Sequence, residues 1–127
     1  MLFILSSKAQ VCLNCTLEQV REAHRGEKEE IYQDATTKDW CVGHLTRAGW
    51  AYHYFLLNPR TVGAAASYAI LLPMDETWVA ACLEVLKEPP YIQVMENRWV
   101  YKDRDMIIQI DFSTLDKNPF FFYQRLE

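Results

Sequence analysis

From residue 91 onward the chain is a series of apolar or alternating runs split by very short connectors, and this limits the fold more than any other feature. The runs occupy 91–95, 98–101, 106–112 and 120–125. They are rich in the aromatic and β-branched residues that suit a pleated, half-buried surface. Only Glu96-Asn97 and Lys102–Asp105 separate the first three. Connectors that short point to antiparallel hairpins. The spacing predicts a C-terminal four-strand meander.

The chain upstream of 91 mixes three helices with short strands. Thr16-Leu17-Glu18-Gln19 matches a capping box, in which the Thr oxygen and the Gln side chain satisfy two orphan backbone donors. Cys15 and Val20 are placed as a hydrophobic staple across it. Leu17, Val20, Ala23 and Ile31 fall near one face of a helix running to about Gln33, with charges of both signs opposite. Thr37 then caps a second helix with Trp40, Cys41, His44, Leu45 and Ala48 as its apolar stripe and Gly49 as its stop. Strands are expected at 50–57 and 67–72. Asp75 caps a third helix to about 87, which Pro89-Pro90 ends.

With 127 residues, half hydrophobic and 24% charged, the chain suits one globular domain over 1–127. The expected class is α+β. Three helices pack on one face of a mostly antiparallel sheet, with a helical part at 16–48 and a sheet-rich part at 50–127 that includes the helix near 75–88. This element order resembles the cone-shaped fold shared by nuclear transport factor two-like proteins. The resemblance covers element order across most of the chain and no motif. It implies a pocket in which His53 acts as a base with an acid such as Asp111.

The best-marked chemical pattern is Cys12-Leu13-Asn14-Cys15 followed, after 25 residues, by Cys41-Val42-Gly43-His44. Two close pairs of soft ligands are what tetrahedral zinc wants, and Cys41 and His44 share a face if they lie one turn apart on a helix. Zinc held by Cys12, Cys15, Cys41 and His44 is therefore one expectation. The same residues are equally accounted for as packing: a staple at Cys15, a core stripe at Cys41, an inward strand residue at Cys12. A thiol redox or nucleophilic role for Cys15 is a further reading, with His24, His44 or His53 as base. The apolar run Leu2-Phe3-Ile4-Leu5, itself a candidate strand, has no Lys or Arg before it and is too short for a signal peptide or a spanning helix. The expectation is a cytoplasmic protein without a membrane segment and with no structural disulfide.

A net charge of −4 lacks the basic surplus that phosphate binding uses, so nucleic acid is not the expected partner. There is no Gly-rich phosphate loop, no Gly-x-Ser-x-Gly elbow and no His-Glu-x-x-His. What stands out instead is Phe120-Phe121-Phe122-Tyr123. Alternation along a strand sends these rings to both faces of the sheet. One pair must meet the helices. The other, with Trp99 and Tyr101 nearby, is a candidate binding surface for a protein partner or a second copy. The leading expectation is thus a non-enzymatic binding protein, such as an inhibitor, an immunity-type protein or an accessory subunit. The alternatives are a small-molecule pocket or simple enzyme built around His53, and a zinc-stabilised interaction module.

Overall fold

The computed structural model describes residues 11–114 and 117–126. The run Leu2-Phe3-Ile4-Leu5 lies outside them. Among the described residues the fold is α+β, with one antiparallel sheet of eight strands and two helices, not three. No helix among them is long and apolar enough to cross a membrane.

Helix α1 (Leu17–Ala23) starts as its capping box requires. The Thr16 oxygen accepts from the Gln19 N–H at 3.3 Å, and the Gln19 side chain accepts from the Thr16 N–H at 2.9 Å. The expected continuation to Gln33 does not occur. The helix ends at Ala23, the chain turns through His24–Gly26, and β1 (Glu29–Gln33) follows. The expected second helix is replaced by strand β2 (Trp40–Leu45), whose hairpin leads into β3 (Gly49–Phe55). An apolar stripe read at helical spacing is here a strand buried on both faces, which leaves no alternation to read. Gly43 fits that setting. A Cβ there would fall 2.7 Å from the Tyr52 ring, which lies across it from β3.

Strand β4 (Ala66–Pro73) closes a first four-strand meander. Helix α2 (Glu76–Val85) follows, capped by Asp75, whose carboxylate accepts from the Trp78 N–H at 3.0 Å. Then comes the expected meander: β5 (Ile92–Met95), β6 (Arg98–Asp103), β7 (Met106–Ser113) and β8 (Phe120–Leu126). The sheet order is β1-β2-β3-β4-β8-β7-β6-β5, so the two meanders meet where β4 pairs with β8. The chain therefore runs twice through a helix followed by four strands. This replaces the helix, helix, strand, strand, helix order on which the cone-fold resemblance rested.

One face of the sheet is the core. Helix α2 supplies Cys82, and its C-cap Leu86, to a cluster with Leu13, Ala69, Leu71, Trp99, Tyr101, Ile108, Ile110, Phe121 and Tyr123. Helix α1 supplies Leu17 and Val20 to a second, with Cys15, Val42, Phe55 and Ala66. Both helices thus cover the same face.

Candidate functional site: a histidine trio behind a cysteine pair

All three histidines of the chain are buried together. His24 caps the C-terminus of α1, His44 lies on β2 and His53 on β3. They are 2%, 2% and 0% exposed, so none is available to a solvent-borne substrate. The His24 and His44 rings stack in parallel with centroids 4.8 Å apart, and His53 meets His24 edge-on at 5.6 Å. The β2–β3 register explains the grouping. Val42 opposes His53 and Ala51 opposes His44, which sets the two strand histidines diagonally on the inner face.

Carboxylates tie the trio to the α1–β1 turn. His24 Nδ1 lies 2.7 Å from Glu27 Oε1, and His44 Nε2 lies 2.9 Å from Glu29 Oε1. Arg21 donates to both oxygens of Glu29, from Nε at 2.9 Å and from a terminal nitrogen at 3.0 Å. That guanidinium is the main reason the Glu29 carboxyl titrates below the usual range, with His44 adding to it. Burial pulls His44 below the ordinary histidine value despite Glu29. The His44–Glu29 contact is therefore read as a hydrogen bond from a neutral imidazole, not as an ion pair. His53 is pulled down to about 3, first by burial and then by its two neighbours.

The neutral rings have definite tautomers. The Cys12 backbone N–H donates to His53 Nε2 at 2.9 Å, so His53 carries its proton on Nδ1. His44 donates from Nε2 to Glu29 and so has a bare Nδ1. Both Nδ1 atoms are buried without a hydrogen-bond partner among the described residues, one a donor and the other an acceptor. Such groups cost stability, on the order of 1–3 kcal/mol each, and native folds seldom keep them.

Through Cys12 the trio touches the cysteine motif. Cys12 and Cys15 form a disulfide, against the expectation of free thiols. The two cysteines are only three positions apart, and Asn14 between them adopts a left-handed conformation (φ 62°) that closes the turn. Asn14 donates its N–H to Ala66 O at 2.7 Å, and Ala66 returns its N–H to Cys15 O at 2.8 Å. The guanidinium of Arg104, in the β6–β7 turn, donates to Leu13 O.

The four residues of the zinc expectation are not brought together. Cys41 and His44 are three apart on a strand, not on a helix, and so point to opposite faces. His44 faces His24. Cys41 faces outward between Tyr32 and Tyr54, where burial pushes its thiol up. Among the described residues, no group of three or more His, Cys, Asp or Glu side chains is placed to hold a metal ion. His53 and Asp111 also part company. Asp111 is on the outer face, where Arg98 Nε donates to it at 2.7 Å. Neither His53 nor Asp111 lines the cleft of about 710 Å³ formed by Leu13, Asn14, Leu56, Leu57, the stretch 63–68, Phe122, Gln124 and Arg125.

The aromatic expectations divide between the two faces. Phe121 and Tyr123 are core, at 1% and 5% exposure, and Phe120 and Phe122 are half-buried on the face without helices. Trp99 and Tyr101 belong to the core, since they share the parity of Phe121 and not of Phe122. The outer face carries other rings instead. Trp50 stacks on Tyr52 at 5.7 Å, Tyr54 on Tyr68 at 4.7 Å, and Tyr68 meets Phe122 at 5.7 Å. The sequence signal for three of these rings is strand alternation at Trp50-Ala51-Tyr52-His53-Tyr54, which puts Trp50, Tyr52 and Tyr54 on one face. His24, Glu27 and Glu29 had no comparable signal, because nothing in their spacing links them to positions 44 and 53.

No family model matches the chain, and no match was found among curated proteins or solved structures.

Proposed function

We propose that the protein is a binding protein that takes a protein partner on the outer face of its sheet. The observation that carries this is the run of half-buried rings across β3, β4 and β8: Trp50, Tyr52, Tyr54, Tyr68 and Phe122, with no helix over them among the described residues. Rings of this kind supply most of the energy in protein interfaces, because they bury large area at low entropy cost. The β1–β2 end of this face is acidic. Glu30 lies beside Gly43 and Tyr52, and Asp39 accepts the Tyr68 hydroxyl at 2.6 Å. An apolar surface with basic side chains at one end complements it better than a second copy carrying the same acidic end. The pocket alternative gains no such support, since His53 is enclosed and does not line the cleft.

The test is a peptide-display selection against the wild-type protein, repeated against Phe122→Arg and Tyr68→Arg. The expected result is enrichment of peptides that interleave aromatic or aliphatic residues with Lys and Arg, and at least about tenfold weaker binding to both variants. Far-UV circular dichroism should show both variants folded, because these rings lie outside the core. Peptides that bind the variants as well as the wild type would place recognition elsewhere. A wild-type protein that is a stable dimer in light scattering, and a monomer as Phe122→Arg, would identify the occupant as a second copy.

A further inference from the structure

We infer that the Cys12–Cys15 pair is a thiol–disulfide exchange site that acts on protein dithiols. The bond joins residues only three apart. A loop that short removes little entropy from the unfolded chain, so a cross-link there is a weak structural staple. The loop hardly needs one. Each of its four residues already commits a backbone group to the rest of the fold: Cys12 N–H to His53, Leu13 O to Arg104, Asn14 N–H to Ala66 O, and Cys15 O to Ala66 N–H. These bonds do not depend on the sulfur–sulfur bond. With the disulfide open, the same anchors keep the two Cα atoms near 5.6 Å, within the range that re-forms the bond.

The two sulfurs are placed unequally. Cys12 is half-buried, whereas Cys15 is 2% exposed and packed against Leu17 and Val20. Leu13 and Asn14 form one wall of the cleft that opens beside the pair, with Leu56 and Leu57 on the loop opposite, 62% and 59% exposed. Behind Cys12, the enclosed His53 ring accepts its amide. Neither cysteine lines that cleft, and Cys12 packs in part against the cluster that holds Cys15. Of the two, Cys12 is the more exposed, so an incoming sulfur reaches Cys12 first and Cys15 is the resolving partner.

The exchange balances without a further reagent. A thiolate of the substrate attacks Cys12 Sγ. The Cys12–Cys15 bond breaks, and its electron pair leaves on Cys15 Sγ, which takes a proton from solvent. The resulting mixed disulfide joins the substrate to Cys12. A second substrate thiolate then attacks the substrate sulfur of that bond, and the electron pair returns to Cys12 Sγ, which is protonated. The substrate dithiol has been oxidised to a disulfide, and the protein disulfide has been reduced to two thiols.

The experiment uses the full chain with Cys41→Ser and Cys82→Ser, which removes the two free cysteines outside the pair. The oxidised protein is mixed in native buffer with a synthetic peptide carrying two reduced cysteines, and both are followed by acid quench, alkylation and mass spectrometry. The expected result is about one peptide disulfide formed per protein disulfide lost. Cys15→Ser treated with glutathione disulfide should hold a mixed disulfide on Cys12. Cys12→Ser should form one on Cys15 at least about tenfold more slowly, given the difference in access. If either serine variant does not fold, alkylation of the reduced, otherwise unmutated pair gives the same reading, with Cys12 modified at least about tenfold faster than Cys15. A disulfide that yields to dithiols only in denaturant would make the pair a structural cross-link and overturn the assignment. Equal reactivity of the two sulfurs, or fresh protein with both cysteines on a metal ion, would overturn it as well.

Discussion

Gly49→Ala is expected to destabilise the protein by more than about 4 kcal/mol, enough to unfold many domains of this size. Gly49 ends the β2–β3 hairpin with φ +144°, a region that residues with a Cβ rarely adopt. Space is the harsher constraint. A Cβ there would lie 1.9 Å from the Leu72 carbonyl oxygen and 2.8 Å from the Met74 nitrogen. Both neighbours are backbone, so no side chain can swing aside to admit it. The surroundings are also tied down. The Thr46 hydroxyl donates to Gly49 O at 2.7 Å and accepts from the amides of Ala48 and Gly49, and the Met74 N–H donates to Ala48 O at 2.7 Å. Relieving the clash means parting β3 from β4 at its first register pair, Gly49 with Pro73. Urea denaturation of the variant measures the loss. A change below about 1 kcal/mol would show that the hairpin can shift, and that the close approach is no constraint.

Acidification from pH 7 to pH 4 is expected to remove on the order of 3 kcal/mol through His53 alone. The sign follows from which state takes up the proton. Near neutral pH, His53 is unprotonated whether the chain is folded or not. Below about 6.5 the unfolded chain binds a proton that the folded ring, held at about 3, refuses. Stability is therefore complete above about pH 6.5 and drains away as the pH falls towards 3. Two neighbours act in the same direction. His44 is also held below its ordinary value, and Glu29 gives up its stabilising contribution once it is protonated. Among the described residues, Glu27 lies beside His24 and Arg21 beside Glu29, and Cys12 reaches His53 through its amide. Urea denaturation at pH 7, 5.5 and 4 reads the slope directly. His53→Gln, whose side-chain oxygen can take the Cys12 N–H, should flatten it. A midpoint that does not move across this range, or that moves equally in the variant, would mean that His53 takes up its proton inside the fold at little cost.

The sequence was readable where local pattern and tertiary outcome agree. The capping box at Thr16, the Asp75 cap and the four C-terminal strands follow from turn residues and alternation, and the structure keeps them within a residue or two. The stretch between Gly26 and Gly49 was not readable, for two physical reasons. Ile31 and Tyr32 lie on an edge strand whose Glu-rich flank also suits a solvated helix face. Trp40–Leu45 is buried on both sides, so the period of two that marks a strand is hidden. The error then carried into the chemistry. On a helix Cys41 and His44 would converge, whereas on a strand they diverge, and His44 joins His24 and His53 instead. Contacts made across 20 or 41 residues, such as His24 with His44 and Cys12 with His53, are products of tertiary packing that no local window contains. The aromatic strand was read correctly in its alternation. Trp99 and Tyr101 were assigned to the wrong side because the parity of β6 relative to β8 depends on the register each makes with β7, which the long connector between β7 and β8 does not reveal.

The seam between the two meanders has a consequence for how the chain reaches its fold. β4 is complete by Pro73, but its outer partner, β8, does not begin until Phe120. During synthesis the first meander therefore waits with a bare edge while helix α2 and three further strands are made. β7 waits in the same way on its own side, for the same last strand. Contacts that join such distant parts of a chain are slow to form, and bare strand edges are open to pairing with other chains in the meantime. The last strand thus closes both halves at once. Where β8 of one copy is late or displaced, the same four-residue register on β4, Tyr68 to Leu71, is open to β8 of another, and the product is an exchanged dimer that keeps every native strand pair.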